Sequence, residues 1–250
     1  MWLRISLLGI VGVACLSAVT GCSFPHDPED TLNRVRNGVL RVGVVEQFPW
    51  AYHDDDEGWR GAEVEMVAQL ADRLQAKIHW VPGNESSLIQ LLERYELDLV
   101  IGGLTNKASW SKNVGLTQPF HTSRVALGIQ PGEEPPQDLS GVEVAAVRGS
   151  FAAALAREEG AEVIFVPSLQ NSNRPVAAQS WQIAALGRVE AGEPMQSQQH
   201  VWAVPPGENG WLLFLDRALP ELSREVAARL AELERQRLGR AGSNPQGTAP

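Results

Sequence analysis

Cysteine is nearly absent from this chain. Cys15 and Cys22 are the only two in 250 residues. Both sit near the N-terminus, so the body has no disulfide and folds on packing alone. Basic runs are missing as well. Lys and Arg number 21 against 30 Asp and Glu, for a formal charge of −9. With no basic face to release counterions, a nucleic-acid partner is excluded. The five histidines, His26, His53, His79, His121 and His200, form no H-E-x-x-H pairing. His53 beside the acidic run 54–57 reads as a solvated turn, and no metal or other cofactor is expected. Ser150 lies in no G-x-S-x-G pattern, and no catalytic residue is assigned. No internal repeat of fixed period is present. Tyrosine is scarce, two against eight tryptophans.

What is there begins with a processing signal. Arg4 supplies a positive start, and residues 5–19 form an apolar run. That run is shorter than the roughly 20 residues a membrane-spanning helix needs, and it fits a signal-peptide core. It ends in Val19-Thr20-Gly21-Cys22, which resembles the lipobox of bacterial lipoproteins. The resemblance implies cleavage after residue 21 and lipid on Cys22, with two or three acyl chains, enough for stable anchoring. Ser23 in place of Asp leans toward the outer membrane in a Gram-negative cell. Residues 22–32 are then a linker, and 239–250, rich in Gly, Ser, Asn and Pro, read as a disordered tail.

Between the ends, strands and helices alternate, which argues an α/β class with mostly parallel sheets. Residues 39–45 read as a strand. Val64, Val67, Leu70, Ala71 and Leu74 recur at helical spacing over 62–74. Residues 77–81 alternate as a strand and 86–95 read as a helix. The nearly continuous apolar run 97–101 suits a buried parallel strand, and it stops at Gly102-Gly103, where backbone is free to approach a ligand. Further on, strands are predicted at 142–147, 163–166, 176–178 and 200–204. Helices are predicted at 151–158, 181–186, 210–218 and 220–238.

The segment Gly38-Val39-Leu40-Arg41-Val42-Gly43-Val44 resembles the opening strand of the extracellular solute-binding proteins of family 3. Phe48-Pro49-Trp50 resembles that family's ligand-stacking loop, and Gly61-Ala62-Glu63-Val64-Glu65 the start of its first helix. Asp98-Leu99-Val100-Ile101-Gly102-Gly103-Leu104-Thr105 resembles its central strand and binding loop, and Leu116-Thr117-Gln118-Pro119-Phe120 the segment entering the hinge. The match is strong over 38–120 and looser beyond. It implies a two-lobed, periplasmic-binding-protein-like type II fold with a hinge of two crossing strands. Lobe one is placed at 33–121 plus 201–238 and lobe two at 122–200. Lobe two is expected to be abbreviated, because only 167–175 joins two parallel strands, short of the ordinary crossover of about 10–12 residues.

The resemblance also implies where ligand sits: in the cleft, against Phe48, Trp50, Tyr52, Gly103, Thr105, Trp110, Gly149, Ser150 and Gln179. Two of these depart from the family. Its carboxylate-binding arginine is replaced by Trp110, and its ammonium-binding acid by Gln179. A charged hydrogen bond is worth roughly 1.5–3 kcal/mol, so an ordinary free amino acid is not the expected ligand. The aromatic residues suit a flat ring or a cation over π faces, with Trp181 facing them from lobe two. Two placements stay open for each: Trp110 in the cleft or packed on lobe one, and Trp181 facing the cleft or in the core. Trp59, Trp80, Trp202 and Trp211 are read as packing residues.

The function expected is capture of a small solute by a monomeric lipoprotein of the cell envelope, for an ABC-type permease. The chain is expected to be a binder rather than an enzyme. A sensor or envelope-interaction lipoprotein with a degenerate cleft is the alternative, and a dehydratase-like enzyme a further one. The family also occurs fused to lytic transglycosylase domains, an activity not expected here because no second domain is read after Leu238.

Overall fold

A computed structural model describes residues 27–243. The signal segment, Cys22 and the last seven residues lie outside that range, and so do the expectations placed on them. The described chain folds around two five-stranded sheets.

The first sheet contains β1 (Val39–Val44), β4 (Lys77–Pro82), β5 (Leu99–Ile101), β6 (Gly115–Leu116) and β12 (Ala203–Val204) in the order β4-β1-β5-β12-β6. The β1 strand pairs in parallel with both β4 and β5, whereas β12 runs antiparallel to β5 and β6. Side chains alternate across it. Leu99 and Ile101 enter one core, Val100 the other, as the two-residue period of a strand requires. On the first face lie the short α1 (Thr31–Val35), α2 (Ala62–Leu74), α6 (Asn209–Leu222) and α7 (Val226–Ser243), with Trp50, Trp202 and Trp211 all fully buried. On the second lies α3 (Glu85–Glu93), which Asn84 caps by accepting a 2.9 Å bond from the Ser87 N–H. A hairpin of β2 (Tyr52–Asp54) and β3 (Gly58–Arg60) stands apart.

The second sheet has the order β11-β7-β10-β8-β9. It contains β7 (His121–Ile129), β8 (Glu143–Val147), β9 (Glu162–Val166), β10 (Val176–Gln179) and β11 (Val189–His200). The helix α4 (Phe151–Glu158) covers one face and α5 (Ser180–Ala185) the other. Residues 167–175 carry the chain from β9 across β8 to β10 without a helix, the abbreviation foreseen from length.

Two strands connect the lobes. The β7 strand leaves lobe one and β11 returns, antiparallel from Val189↔Ile129 to His200↔His121, with a register shift between Ala191 and Gln196. The Phe120 N–H donates to the His200 carbonyl (3.0 Å) and the Thr117 N–H to the Trp202 carbonyl (3.0 Å), which ties both strands to lobe one.

Four expectations are corrected. The strand read at 200–204 is two: the long β11, whose Gly192, Pro194 and glutamines hid it, and the short β12. The helix read at 220–238 is two, because α6 runs through Pro220 to Leu222 and the chain turns at residues 223–225 before α7. Helix continues past residue 239 to Ser243, where a disordered tail was read. Finally, residues 27–32 are docked rather than free. The Glu208 carboxylate accepts from the Glu29 and Thr31 N–H groups at 2.7 and 3.0 Å, and Asp27 accepts from the Gly210 N–H at 2.7 Å.

Candidate functional site

The site grows from the end of β5. Gly102 has φ +124 and Gly103 φ +74, and a Cβ on Gly102 would lie 2.2 Å from the Val45 carbonyl oxygen. Only glycine fits there. The freed amides point at the first turn of α2, where the Glu63 carboxylate accepts from the Gly102 N–H at 2.5 Å and from the Gly103 N–H at 3.3 Å. Glu63 is wholly buried, and burial pushes its carboxyl up to about 7 against the opposing pull of those two amides. The Glu63 carboxylate is thus the internal brace of the binding loop.

Above the loop the cleft is filled by the protein's own rings. Trp50 is fully buried and lies 4.0 Å from the His200 ring, centroid to centroid, at an interplanar angle of 30°. It meets Trp181, the second residue of α5 in lobe two, edge-on at 5.6 Å, and His121 at 5.7 Å. His200 Nε2 shares a 2.7 Å hydrogen bond with Ser123 Oγ, both buried. Burial, and then the neighbouring His121, depress His200 to about 4, so the ring is neutral at ordinary pH. Burial and Arg124 likewise lower His121. Sequence reading missed the pair His121 and His200; the one signal was their position at the two ends of the hinge.

The other predicted residues are spread around this stack. Phe48 and Tyr52 contact each other at 5.2 Å, at the edge of the lobe-one core. Thr105 forms an isolated bridge with His200, which brings the binding loop against the returning hinge strand. Ser150 caps α4, its Oγ accepting from the Ala153 N–H at 3.2 Å, and the preceding Gly149 is in a left-handed conformation with open space around it. The Gln179 N–H donates to the Gln182 side chain at 3.1 Å at the start of α5. Trp110 does not join the stack. It sits in a 3-10 turn, Ser109–Lys112, packs on the α3 side of lobe one with Leu91 and Leu116, and donates from Nε1 to Glu85. Its indole thus packs on lobe one.

The helix α7 lies along both lobes. Val226, Leu230 and Leu233 enter the lobe-one core, and Arg229 donates to Glu65 on α2 at 2.5–2.9 Å. On the other side Ala227 and Leu230 line a hollow with His121, Trp181 and Ala184. Farther along, the Arg237 guanidinium lies 5.1 Å over the Phe48 ring, within cation–π range. No described helix is long and apolar enough to cross a membrane.

Residues 40–236 match the profile of the bacterial extracellular solute-binding proteins, family 3. Over 89 residues the chain is 32% identical to membrane-bound lytic murein transglycosylase F of Vibrio cholerae serotype O1, covering 35% of this chain and 17% of that protein. Over 113 residues it is 29% identical to cyclohexadienyl dehydratase of Pseudomonas aeruginosa, covering 44% of this chain and 42% of that one. The chain thus spans under half the length of either relative. Among solved structures, the unliganded, open L-cystine solute receptor of Neisseria gonorrhoeae superposes with a TM-score of 0.65 at 18% identity, over 81% of this chain and 95% of that one. That likeness shows the type II two-lobed fold. The two named relatives are enzymes, which overturns the expectation of a binder as opposed to an enzyme: chains similar to this one carry catalysis as well as binding.

Proposed function

The chain belongs to the bacterial extracellular solute-binding proteins, family 3, and on that premise we propose that it captures a small solute between its lobes on a wall formed by Trp50 and Trp181. The observation that carries this reading is the meeting of those two rings, one from each lobe, beside the paired hinge strands. Rotation about residues 121 and 200 would part the rings, and a ligand with a flat or cationic face would then fill the space between them. With no arginine at 110 and no acid at 179, the charged partners of a plain α-amino acid are missing, which favours a ring or cationic ligand instead. Delivery to an ABC-type permease and a lipid anchor on Cys22 complete the reading, in keeping with the envelope location of the family.

A thermal-shift screen of the chain from Ser23 tests it, with aromatic amines, ring metabolites, short peptides and free amino acids. A ligand at a hundredfold excess over Kd adds about 2.7 kcal/mol to the stability of the native state. A shift from a ring or cationic compound supports the proposal, and a shift from plain amino acids alone contradicts it. Membrane partition of Cys22→Ala tests the anchor: release is expected, and unchanged partition rules the lipid out.

Catalysis in the same cleft is a second reading, favoured by the 113-residue similarity to cyclohexadienyl dehydratase of Pseudomonas aeruginosa. An assay for elimination of water from a cyclohexadienyl substrate decides it. Turnover by the wild type supports this reading, and no activity removes it.

A further inference from the structure

A cavity of about 240 Å³ lies between the C-terminal helix and lobe two, on the far side of α5 from the hollow lined by His121 and Trp181. It is set against Val147 at the end of β8 and Pro167, Ser168 and Leu169 just past β9. Small-molecule sites of open α/β sheets form at such carboxyl strand ends. Its volume is below the 300–1,000 Å³ usual for drug-sized ligands, so its occupant is small. Leu169 and Leu186 of lobe two and Leu238 of α7 supply apolar wall.

The polar groups come chiefly from α7. Glu234 lines the cavity with its side chain only 3% exposed. One of its oxygens accepts from Arg237 at 2.6 Å, while Oε2 is buried with no hydrogen-bond partner among the described residues. A buried carboxylate oxygen left without a donor is costly, and a positively charged donor satisfies it best. Arg237, the cation already paired with Glu234, is loosely held. Its side chain is 55% exposed, and it is shared between Glu234 and the Phe48 ring.

We propose that this cavity is a binding site for a small organic cation with a short apolar body, an alkylammonium or alkylguanidinium, whose head takes the carboxylate of Glu234 and whose body lies on the leucines. Arg237 is its intramolecular competitor. A ligand reaches the enclosed oxygen by moving that exposed guanidinium aside. The site is separate from the Trp50–Trp181 wall and stands whether or not that wall binds ligand.

Isothermal titration of the chain from Ser23 with n-butylamine, and with n-butanol as the uncharged match, tests the proposal at neutral pH. Saturable binding of the amine and weaker binding of the alcohol are expected. Glu234→Gln, which keeps the shape and removes the charge, should weaken the amine roughly 10- to 100-fold, the worth of one charged hydrogen bond. Arg237→Ala should tighten it, because the competitor is gone. That opposite sign keeps the test decisive even if Glu234→Gln unfolds the helix. No saturable amine binding, equal binding of the alcohol, an unchanged affinity in Glu234→Gln or a weakened one in Arg237→Ala would each overturn the site.

Discussion

The two lobes share a layered plan but differ in what fills them. Lobe one is built on indoles and leucines, with Trp50, Trp202, Trp211, Leu40, Leu70 and Leu99 all fully buried. Its buried Asp98 is also answered: it accepts from Arg34, from Arg41 at 2.6 Å, and from the Arg41 N–H at 2.8 Å. Lobe two is built largely on alanine, with Ala145, Ala146, Ala153, Ala156, Ala177 and Ala178 in its two cores. Small side chains let strand and helix approach closely but remove little apolar area from water. Lobe one is therefore the more heavily packed half and lobe two the lighter half, carried on β7 and β11. The Trp181 ring and the helix α7 contact both halves.

The contrast is sharpest in core deletions. Trp211→Ala removes a fully buried ring whose Nε1 donates to the Asp98 carbonyl at 2.8 Å, and should cost about 3–5 kcal/mol in urea unfolding. Val144→Ala in the lobe-two core should cost roughly 1–2 kcal/mol. Equal losses would break the comparison.

A smaller and opposite-signed pair of effects comes from the two buried titrating groups. His200, depressed to about 4, stays neutral in the native state while the unfolded chain takes up a proton below its ordinary value of 6.5. Stability therefore rises with pH between about 4 and 6.5. Glu63, raised to about 7 from 4.5, binds its proton more tightly when folded, so its contribution falls as pH rises from about 4.5 to 7. His200→Gln should flatten the first slope and Glu63→Gln the second, read from unfolding midpoints across pH. Unchanged profiles in both variants would remove these groups from the balance.

The smallest effect is expected at Trp110. Packed on the α3 side of lobe one, it should lose about 1 kcal/mol on replacement by alanine and leave the affinity for a cleft ligand unchanged. A binding defect without loss of stability would return it to the cleft.

Lobe one was legible because its signals are local. The helical spacing of Val64, Val67, Leu70 and Leu74 and the apolar run at 97–101 each specify an element without help from distant chain. The β11 strand was not legible. Its sequence from Val189 to His200 holds Gly192, Pro194 and a run of polar residues, and it is a strand only because β7 offers it a ladder. Pro220 read as a helix start, yet it sits in the last turns of α6. Trp50 was placed on the ligand wall from its loop, but nothing local could show that it would be covered by the distant His200. Binding and catalysis were not separable for a different reason. One fold carries both, and the choice rests on a few side chains in the site.

The most direct test of interlobe capture is a titration followed by intrinsic tryptophan fluorescence, comparing wild type with Trp181→Ala for the strongest compound of the thermal screen. A saturable change is predicted in wild type, with an affinity at least roughly tenfold weaker in the variant, the loss of about 1.4 kcal/mol of ring stacking. Equal affinity in Trp181→Ala would place the ligand away from the Trp50–Trp181 wall.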